Sequence, residues 1–370
     1  MNFIALANKG LQTLQPYQPG KPISELEREQ DLSHIIKLAS NENPLGCSPL
    51  AKQAAINAID AIARYPDGAS FELKHALAQH LSIPTHCLTL GAGSEQLISL
   101  LIQSFVKPDH EVISSQYAFS IYAIASFANH AQPILTPAQH WGYDVDEILN
   151  HIRHKTSMIF IANPNNPTGT YINTQSLKYL LEKVPEHILC VLDEAYFEYV
   201  KHDDYPDTLA LQKLHPNLIT LRTFSKAYGL AGLRVGYCIA HPDISSILNR
   251  ARLTFNLNSP AQAAACAALT DQEFIDQSVQ LNTEGMRYLV EKINELELQY
   301  IPSIANFLTI DLAQDSTSVY NALLEQGIIV RPLHPYNMPS FIRVSIGTTE
   351  ENSAFINALT NILHKNRKTV

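Results

Sequence analysis

From residue 41 to about residue 260 the chain alternates between two kinds of segment, and this alternation constrains its fold more than any other feature. Short apolar runs, "HEVISS", "SMIFIANP", "HILCVLDEAY", "NLITLR" and "RVGYCIA", read as strands. Between them lie segments with apolar residues at helical spacing, such as Ser94–Phe105 and residues 175–184. Strand and helix taken in turn predict an α/β fold with a mostly parallel sheet flanked by helices on both faces. Residues 1–40, rich in proline and polar side chains, have weak periodicity and read as an arm that packs on something else. After about residue 261 the texture changes to helix, strand "NFLTIDL", helix "SVYNALLEQG", and strands "IIVRPL" and "FIRVSIG". The expected organisation is therefore an arm (1–40), a large domain (41–260) and a smaller α+β domain (261–370), with no internal repeat.

Composition narrows the function. A chain of 370 residues, 46% hydrophobic and 16% charged, buries a sizeable core. The net charge of -9, without a basic stripe, argues against a nucleic-acid binder. No apolar run is long enough for a membrane span, and the N-terminus lacks the apolar core of a secretory signal. Cys47, Cys87, Cys190, Cys238 and Cys266 are scattered and without CxxC spacing, so neither disulfides nor zinc are expected and a reducing cytoplasm is. His151 and His154 would share a helix face, and His75 and His80 are close in sequence. Neither pair comes with a carboxylate-rich ligand set, so both read as solvated surface and no metal site is predicted.

Four segments that follow strand-like runs carry the polar chemistry. In "TFSKAYGLAGLRVG" (223–236) Lys226 lies on a loop at a strand end, where open α/β sheets place their ligands. In "GAGSEQL" Gly91 and Gly93 permit tight turns and Ser94 is a good N-cap. Leu97, Leu100, Leu101 and Phe105 give the helix that follows a buried stripe. Such a turn offers free N–H groups to an anion, although Gln96 replaces the third glycine of a dinucleotide fingerprint and the segment alone reads as an ordinary capped helix. "NPNNPTG" is turn chemistry, and its prolines would also hold Asn166 in one direction. Asp193, closing the apolar run before "EAYFEY", is either a helix cap or the partner of a ring nitrogen. One ligand uses an anion cradle, an asparagine, an aspartate and a lysine together: pyridoxal 5'-phosphate. The lysine forms an imine with its aldehyde, the aspartate keeps its ring nitrogen protonated, and an arginine with a helix N-terminus holds its phosphate.

With "PYQPGK", "LASNENPLG", "RYPDG", "GAGSEQL", "NPNNPTG", "DEAYFEY", "TFSKAYGLAGLRVGY" and "FIRVSIGT", the chain resembles the fold-type I pyridoxal-phosphate aminotransferases over nearly its whole length, and among them the histidinol-phosphate aminotransferases. The resemblance implies transamination of histidinol phosphate with 2-oxoglutarate or glutamate, in histidine biosynthesis, by a homodimer. It implies that Lys226 binds the cofactor covalently and then moves a proton, with Asp193 on the ring nitrogen and Asn166 and Tyr196 on the ring 3'-oxygen. Ser94, Glu95, Thr223, Ser225 and Arg234 would hold the phosphate, joined by Tyr65 across a dimer interface. Phe119 would stack on the ring, with Tyr117 as the alternative, because "SSQYAFSIYAIAS" lacks the family's proline.

Arg331 and Arg343 sit inside strand-like runs, where an arginine is costly unless paired. Each is either an intramolecular ion pair or, as the resemblance implies, a grip for the substrate's phosphate and for glutamate's carboxylates. Tyr17 and Asn43 would complete the pocket. Three further readings share the pattern: an aromatic amino-acid aminotransferase, a threonine-phosphate decarboxylase, and a non-catalytic cofactor-binding sensor. The sensor would carry a DNA-binding segment, and this chain starts almost directly at the family's arm.

Overall fold

The computed structural model describes residues 1–12, 14–17, 19–30, 32 and 34–368, the side chains of 366–368 excepted. Gln18 of "PYQPGK" lies outside them. The first unit contains helices α1 (Pro49–Ile59) and α2 (Phe71–Leu81), strand β1 (Leu88–Gly91), α3 (Ser94–Phe105), β2 (Glu111–Ser115), α4 (Ile121–Ala128) and β3 (Gln132–Thr136). It continues with β4 (Thr156–Ala162), α5 (Thr174–Lys183), β5 (Leu189–Asp193), β6 (Leu218–Thr223), β7 (Gly236–Ile239), α6 (Pro242–Ala251) and α7 (Ser259–Ala268). The strands form one sheet in the order β1-β7-β6-β5-β4-β2-β3. Only β7 runs against its neighbours, β1 and β6. Ala162 of β4 pairs with Asp193, and Asp193 pairs with Leu221, so the carboxyl ends of β4, β5 and β6 share one edge. These strands read as near-continuous apolar runs because helices cover both faces, and Phe160, Val191 and Ile219 are fully buried.

Helix α3 spans the expected residues, but its buried surface is wider than the expected stripe and includes Ile98 and Ile102. Ser94 is not its N-cap. Gly93 holds that place, at φ +79°, and no side chain caps the helix. Its first N–H groups therefore face outward unmet by a cap, which matters below. His151 closes the helix Val145–Asn150, so His151 and His154 do not share a helical face.

Helix α8 (Gln272–Glu295), capped by Asp271, serves two cores: Phe274, Ile275 and Val279 pack with the first unit, and Leu289 and Ile293 with the second. The second unit has strands β8 (Gln299–Ile301) and β9 (Phe307–Asp311), helix α9 (Ser316–Glu325), strands β10 (Arg331–Leu333) and β11 (Met338–Ser345), and helix α10 (Thr349–Lys368). Its sheet is antiparallel, in the order β8-β9-β11-β10. The expected strand "IIVRPL" is two strands. Ile328–Ile329 pairs in parallel with Ile36–Lys37 of the N-terminal segment, and only Arg331–Leu333 joins the four-stranded sheet. Helix α7, just past the expected boundary at 260, packs its alanines Ala261, Ala264 and Ala265 into the core of the first unit. Among the described residues no helix is long and apolar enough to cross a membrane.

Candidate active site

The carboxyl edge of the large sheet opens into a cavity of about 270 Å³. Its floor and sides come from five strand ends: Ser94 and Glu95 after β1, Phe119 after β2, Asn166 after β4, Asp193 and Tyr196 at and beyond β5, and Thr223, Ser225 and Lys226 at and beyond β6. Arg234, just before the reversed strand β7, reaches the same edge. The opposite wall is built by Tyr17, Ser40 and Asn41 of the N-terminal segment with Arg331 and Arg343 of the second unit. Of the site residues expected from the sequence, all but two line this one cavity.

Asp193 is the last residue of β5 and is buried. The Tyr122 hydroxyl donates to its Oδ2 at 2.8 Å, whereas Oδ1 is buried with no hydrogen-bond partner. Burial raises its pKa to about 6, against the bond from Tyr122. A carboxylate in this state is short of one donor or cation. Lys226, partly buried, donates from Nζ to the Ser40 carbonyl at 3.1 Å. Burial, reinforced by the nearby Arg343 guanidinium, lowers its pKa to about 8, so far more of the amine is neutral near neutral pH than in an ordinary lysine. Tyr196 is buried, and that burial pushes its phenol up to about 12. Its oxygen accepts from Asn41 Nδ2 at 2.8 Å.

At one end of the cavity α3 presents its uncapped N-terminus. A Cβ on Gly93 would stand 2.6 Å from Arg234 Nη2, and one on Gly236 would stand 2.5 Å from the Ser94 nitrogen. Glycines there let the backbone amides, the guanidinium and the strand approach one another, as an anion cradle requires. Thr223 Oγ1 donates to Ser225 Oγ, and Arg234 Nη1 donates to the same Ser225 Oγ at 3.3 Å. At the other end Arg331 and Arg343 are direct partners across β10 and β11, both buried. Arg343 donates to Asn166 Oδ1 and, at 2.7 Å, to the Ala39 carbonyl, while its Nε is buried without a partner. Its bonds thus run to neutral groups, and like charges opposite each other on a sheet repel. The unpartnered Nε of Arg343 suits an anion. Arg331 lies over the Tyr17 ring at 5.6 Å.

Phe119 lines the cavity and meets Tyr17 edge-on at 6.4 Å, whereas Tyr117 packs on Trp141 in a separate cluster. Of the two aromatic candidates, Phe119 is the one at the site. Two expected residues are elsewhere. Asn43 points away from the cavity and donates to the Ala227 carbonyl and Ser278 Oγ, tying the segment before α1 to the lysine loop and α8. The cavity-lining asparagine of "LASNENPLG" is Asn41, two residues earlier. Tyr65 is 82% exposed and stacked on Phe255, outside this chain's own cavity. Sequence reasoning also missed Tyr122 as the partner of Asp193. It is buried and stacked on Phe160 at 4.7 Å, as a core residue would be.

A mostly parallel sheet whose carboxyl edge holds a lysine, an underpartnered aspartate and an anion cradle in one cavity defines an enzyme of the aminotransferase type. The chain belongs to the aminotransferase class I and II family, whose model matches residues 33–359. It is 49% identical to histidinol-phosphate aminotransferase 2 of Pseudomonas fluorescens (strain Pf0-1), over 98% of each chain. It is 47% identical to histidinol-phosphate aminotransferase 1 of Nitrosococcus oceani, over 99% of each. Among solved structures it is similar to histidinol-phosphate aminotransferase from Sinorhizobium meliloti in complex with pyridoxal-5'-phosphate, with a TM-score of 0.89, 26% identity, and coverage of 97% of this chain and 98% of that one.

Proposed function

We propose that this chain is a pyridoxal 5'-phosphate-dependent aminotransferase that moves an amino group between histidinol phosphate and 2-oxoglutarate, with glutamate as the other amino acid, in histidine biosynthesis. The substrate reading is carried by the facing arginines Arg331 and Arg343, and the near-full-length relatives of that name support it. The cofactor reading is supported by the unpartnered Oδ1 of Asp193, which a protonated ring nitrogen satisfies. Bound there, the cofactor supplies an aldehyde that takes the amino group and a ring that accepts electrons from the substrate carbon.

This chain's residues do the rest. Lys226, with its lowered pKa, would hold the cofactor covalently through its neutral amine and would afterwards carry a proton to and from the substrate carbon. Asp193 holds the proton on the ring nitrogen. Asn166 and Tyr196 would face the ring 3'-oxygen, and Phe119 would cover the ring. Ser94, Glu95, Thr223, Ser225 and Arg234 hold the phosphate. Arg331, Arg343 and Tyr17 grip the substrate's oxyanion. Steady-state rates with histidinol phosphate, phenylalanine and threonine phosphate test the substrate reading: histidinol phosphate is expected to be used best, and equal or faster use of phenylalanine would mark an aromatic aminotransferase instead.

We further propose a homodimer in which Tyr65 reaches the partner's cofactor phosphate. Supporting this, Tyr65 and its stacking partner Phe255 are both exposed, as are the apolar side chains Ile56, Ile59, Ile62 and Leu253. Mixing an inactive Lys226→Ala protein with an inactive Tyr65 variant should then restore activity through hybrid dimers. A fully active monomer on sedimentation would sink this reading. Five free cysteines suit a reducing cytoplasm.

A further inference from the structure

Three consecutive residues of the N-terminal segment take hydrogen bonds from, or give one to, three different groups of the cavity. The Ala39 carbonyl accepts from Arg343, the Ser40 carbonyl accepts from Lys226, and the Asn41 side chain donates to Tyr196. Asn41 is the most constrained of the three. It is 1% exposed and sits at φ +54°, a left-handed conformation that asparagine tolerates better than most residues. Its N–H donates to Ser345 Oγ at 2.8 Å, and its carbonyl accepts from Asn306 Nδ2 at 3.0 Å. Both partners belong to the second unit: Ser345 ends β11, two residues after Arg343, and Asn306 immediately precedes β9.

This network favours one direction for the Asn41 amide. Ser345 Oγ accepts from the Asn41 backbone N–H, and Asn41 Oδ1, at 3.1 Å, is the acceptor placed to take the serine's own hydrogen. The Nδ2 end of the amide is thereby turned to Tyr196, and the tyrosine oxygen receives a hydrogen bond at 2.8 Å. A hydroxyl that accepts on one side keeps its single hydrogen for another partner. The Tyr196 phenol, held up to about 12 chiefly by its burial, always carries that hydrogen near neutral pH.

We infer that Asn41 is a positioning residue that forces the Tyr196 hydroxyl to donate into the cavity, and that Ser345 on the strand carrying Arg343 sets the direction of this donor. The inference rests on Tyr196 facing the cofactor. It makes the cofactor wall sensitive to the seating of the substrate wall through one amide.

The test is a double-mutant cycle read by cofactor binding. Asn41→Gly keeps the backbone bonds and the positive φ while deleting the amide. Asn41→Asp keeps the bond from Ser345 and places an oxygen against Tyr196. The dissociation constant of pyridoxal 5'-phosphate for the apo-protein, measured by equilibrium dialysis, should rise roughly 2- to 10-fold for either variant, the range of one neutral hydrogen bond. It should rise comparably for Tyr196→Phe. On the Tyr196→Phe background neither Asn41 change should add anything, which a merely structural role would not produce. Ser345→Ala, which frees the amide without touching Asn41, should give a smaller rise and serves if an Asn41 variant fails to fold. Additive losses, or an unchanged constant in the Asn41 and Ser345 variants while Tyr196→Phe binds more weakly, overturn the inference alone. An unchanged constant in Tyr196→Phe overturns the reading of Tyr196 and the inference with it.

Discussion

Asp193 and Glu194 are adjacent acids, both buried, on opposite sides of the same sheet edge, and their surroundings could hardly differ more. Glu194 is ion-paired within the chain. Its Oε2 accepts from Arg222 Nε at 2.9 Å and from Thr208, and Arg222 Nη2 lies 2.8 Å from the same oxygen. Arg222 in turn lies 3.5 Å over the Phe197 ring. Burial works against a charged guanidinium there, and the Glu194 carboxylate overrides it and pushes the arginine's pKa up. Asp193, facing the cavity, has one side-chain donor and one unpartnered oxygen, and across the cavity Arg343 has an unpartnered Nε. Buried polarity that is complete within the chain holds the fold together. Where incomplete buried polarity faces the cavity, as at Asp193 and Arg343, a ligand can complete it.

Breaking the completed side gives the largest expected effect. Glu194→Ala strands the Arg222 charge in a buried site, at about 3–5 kcal/mol of stability. Denaturant unfolding should show a drop of that size, with and without cofactor. A loss below about 1 kcal/mol would mean that the pair contributes little and that the contrast with Asp193 is false.

On the incomplete side, Arg343→Ala removes a charge-assisted contact to the substrate and is expected to lower kcat/KM for histidinol phosphate by about 2–5 kcal/mol, or roughly 30- to 5000-fold. Arg343→Lys should recover only part of this, since an ammonium lacks the planar fork. Cofactor affinity and stability should change little by comparison. Normal kinetics with histidinol phosphate in Arg343→Ala would return this arginine to a structural role.

The same contrast explains what was legible in the sequence. The cofactor floor was readable because each of its groups sits in a short local motif at a strand end, and strand ends show up as apolar runs that stop. The opposite wall was only half readable. Arg331 and Arg343 stood out as charges in apolar strands, but the choice between Asn41 and Asn43 depends on a local left-handed turn that places one amide in the cavity and the other under α8. Strand pairing between Ile36–Lys37 and Ile328–Ile329 joins residues almost 300 positions apart, and no local pattern announces it. Ser94 was misread as a cap because its residue type suits one. The backbone turns at Gly93 instead, which leaves the helix end open for an anion.

The smallest effect expected is on the stability of the cofactor-free protein, and it tests whether Asp193 is held at a stability penalty. The carboxyl's folded pKa, about 6, lies above its ordinary value of 3.8 because burial disfavours the charge. Between those pH values the folded chain binds the proton more tightly than the unfolded chain does. The contribution of Asp193 to stability is therefore fully present below about pH 4 and is lost as pH rises through 6, by at most about 3 kcal/mol for a shift of about two units. Asp193→Asn removes the titration. In apo-protein the variant should unfold at higher denaturant than the parent at pH 8, and the difference should shrink toward zero near pH 4. Saturating pyridoxal 5'-phosphate should reverse the order, because the aspartate then has its ring-nitrogen partner and the asparagine does not. A stability difference that ignores pH, or an apo variant less stable than the parent at pH 8, would show that Asp193 is satisfied without a ligand. Glu194→Gln supplies the control: its carboxylate is already partnered by Arg222, so the uncharged amide should destabilise the protein with or without cofactor, where Asp193→Asn stabilises the apo form alone.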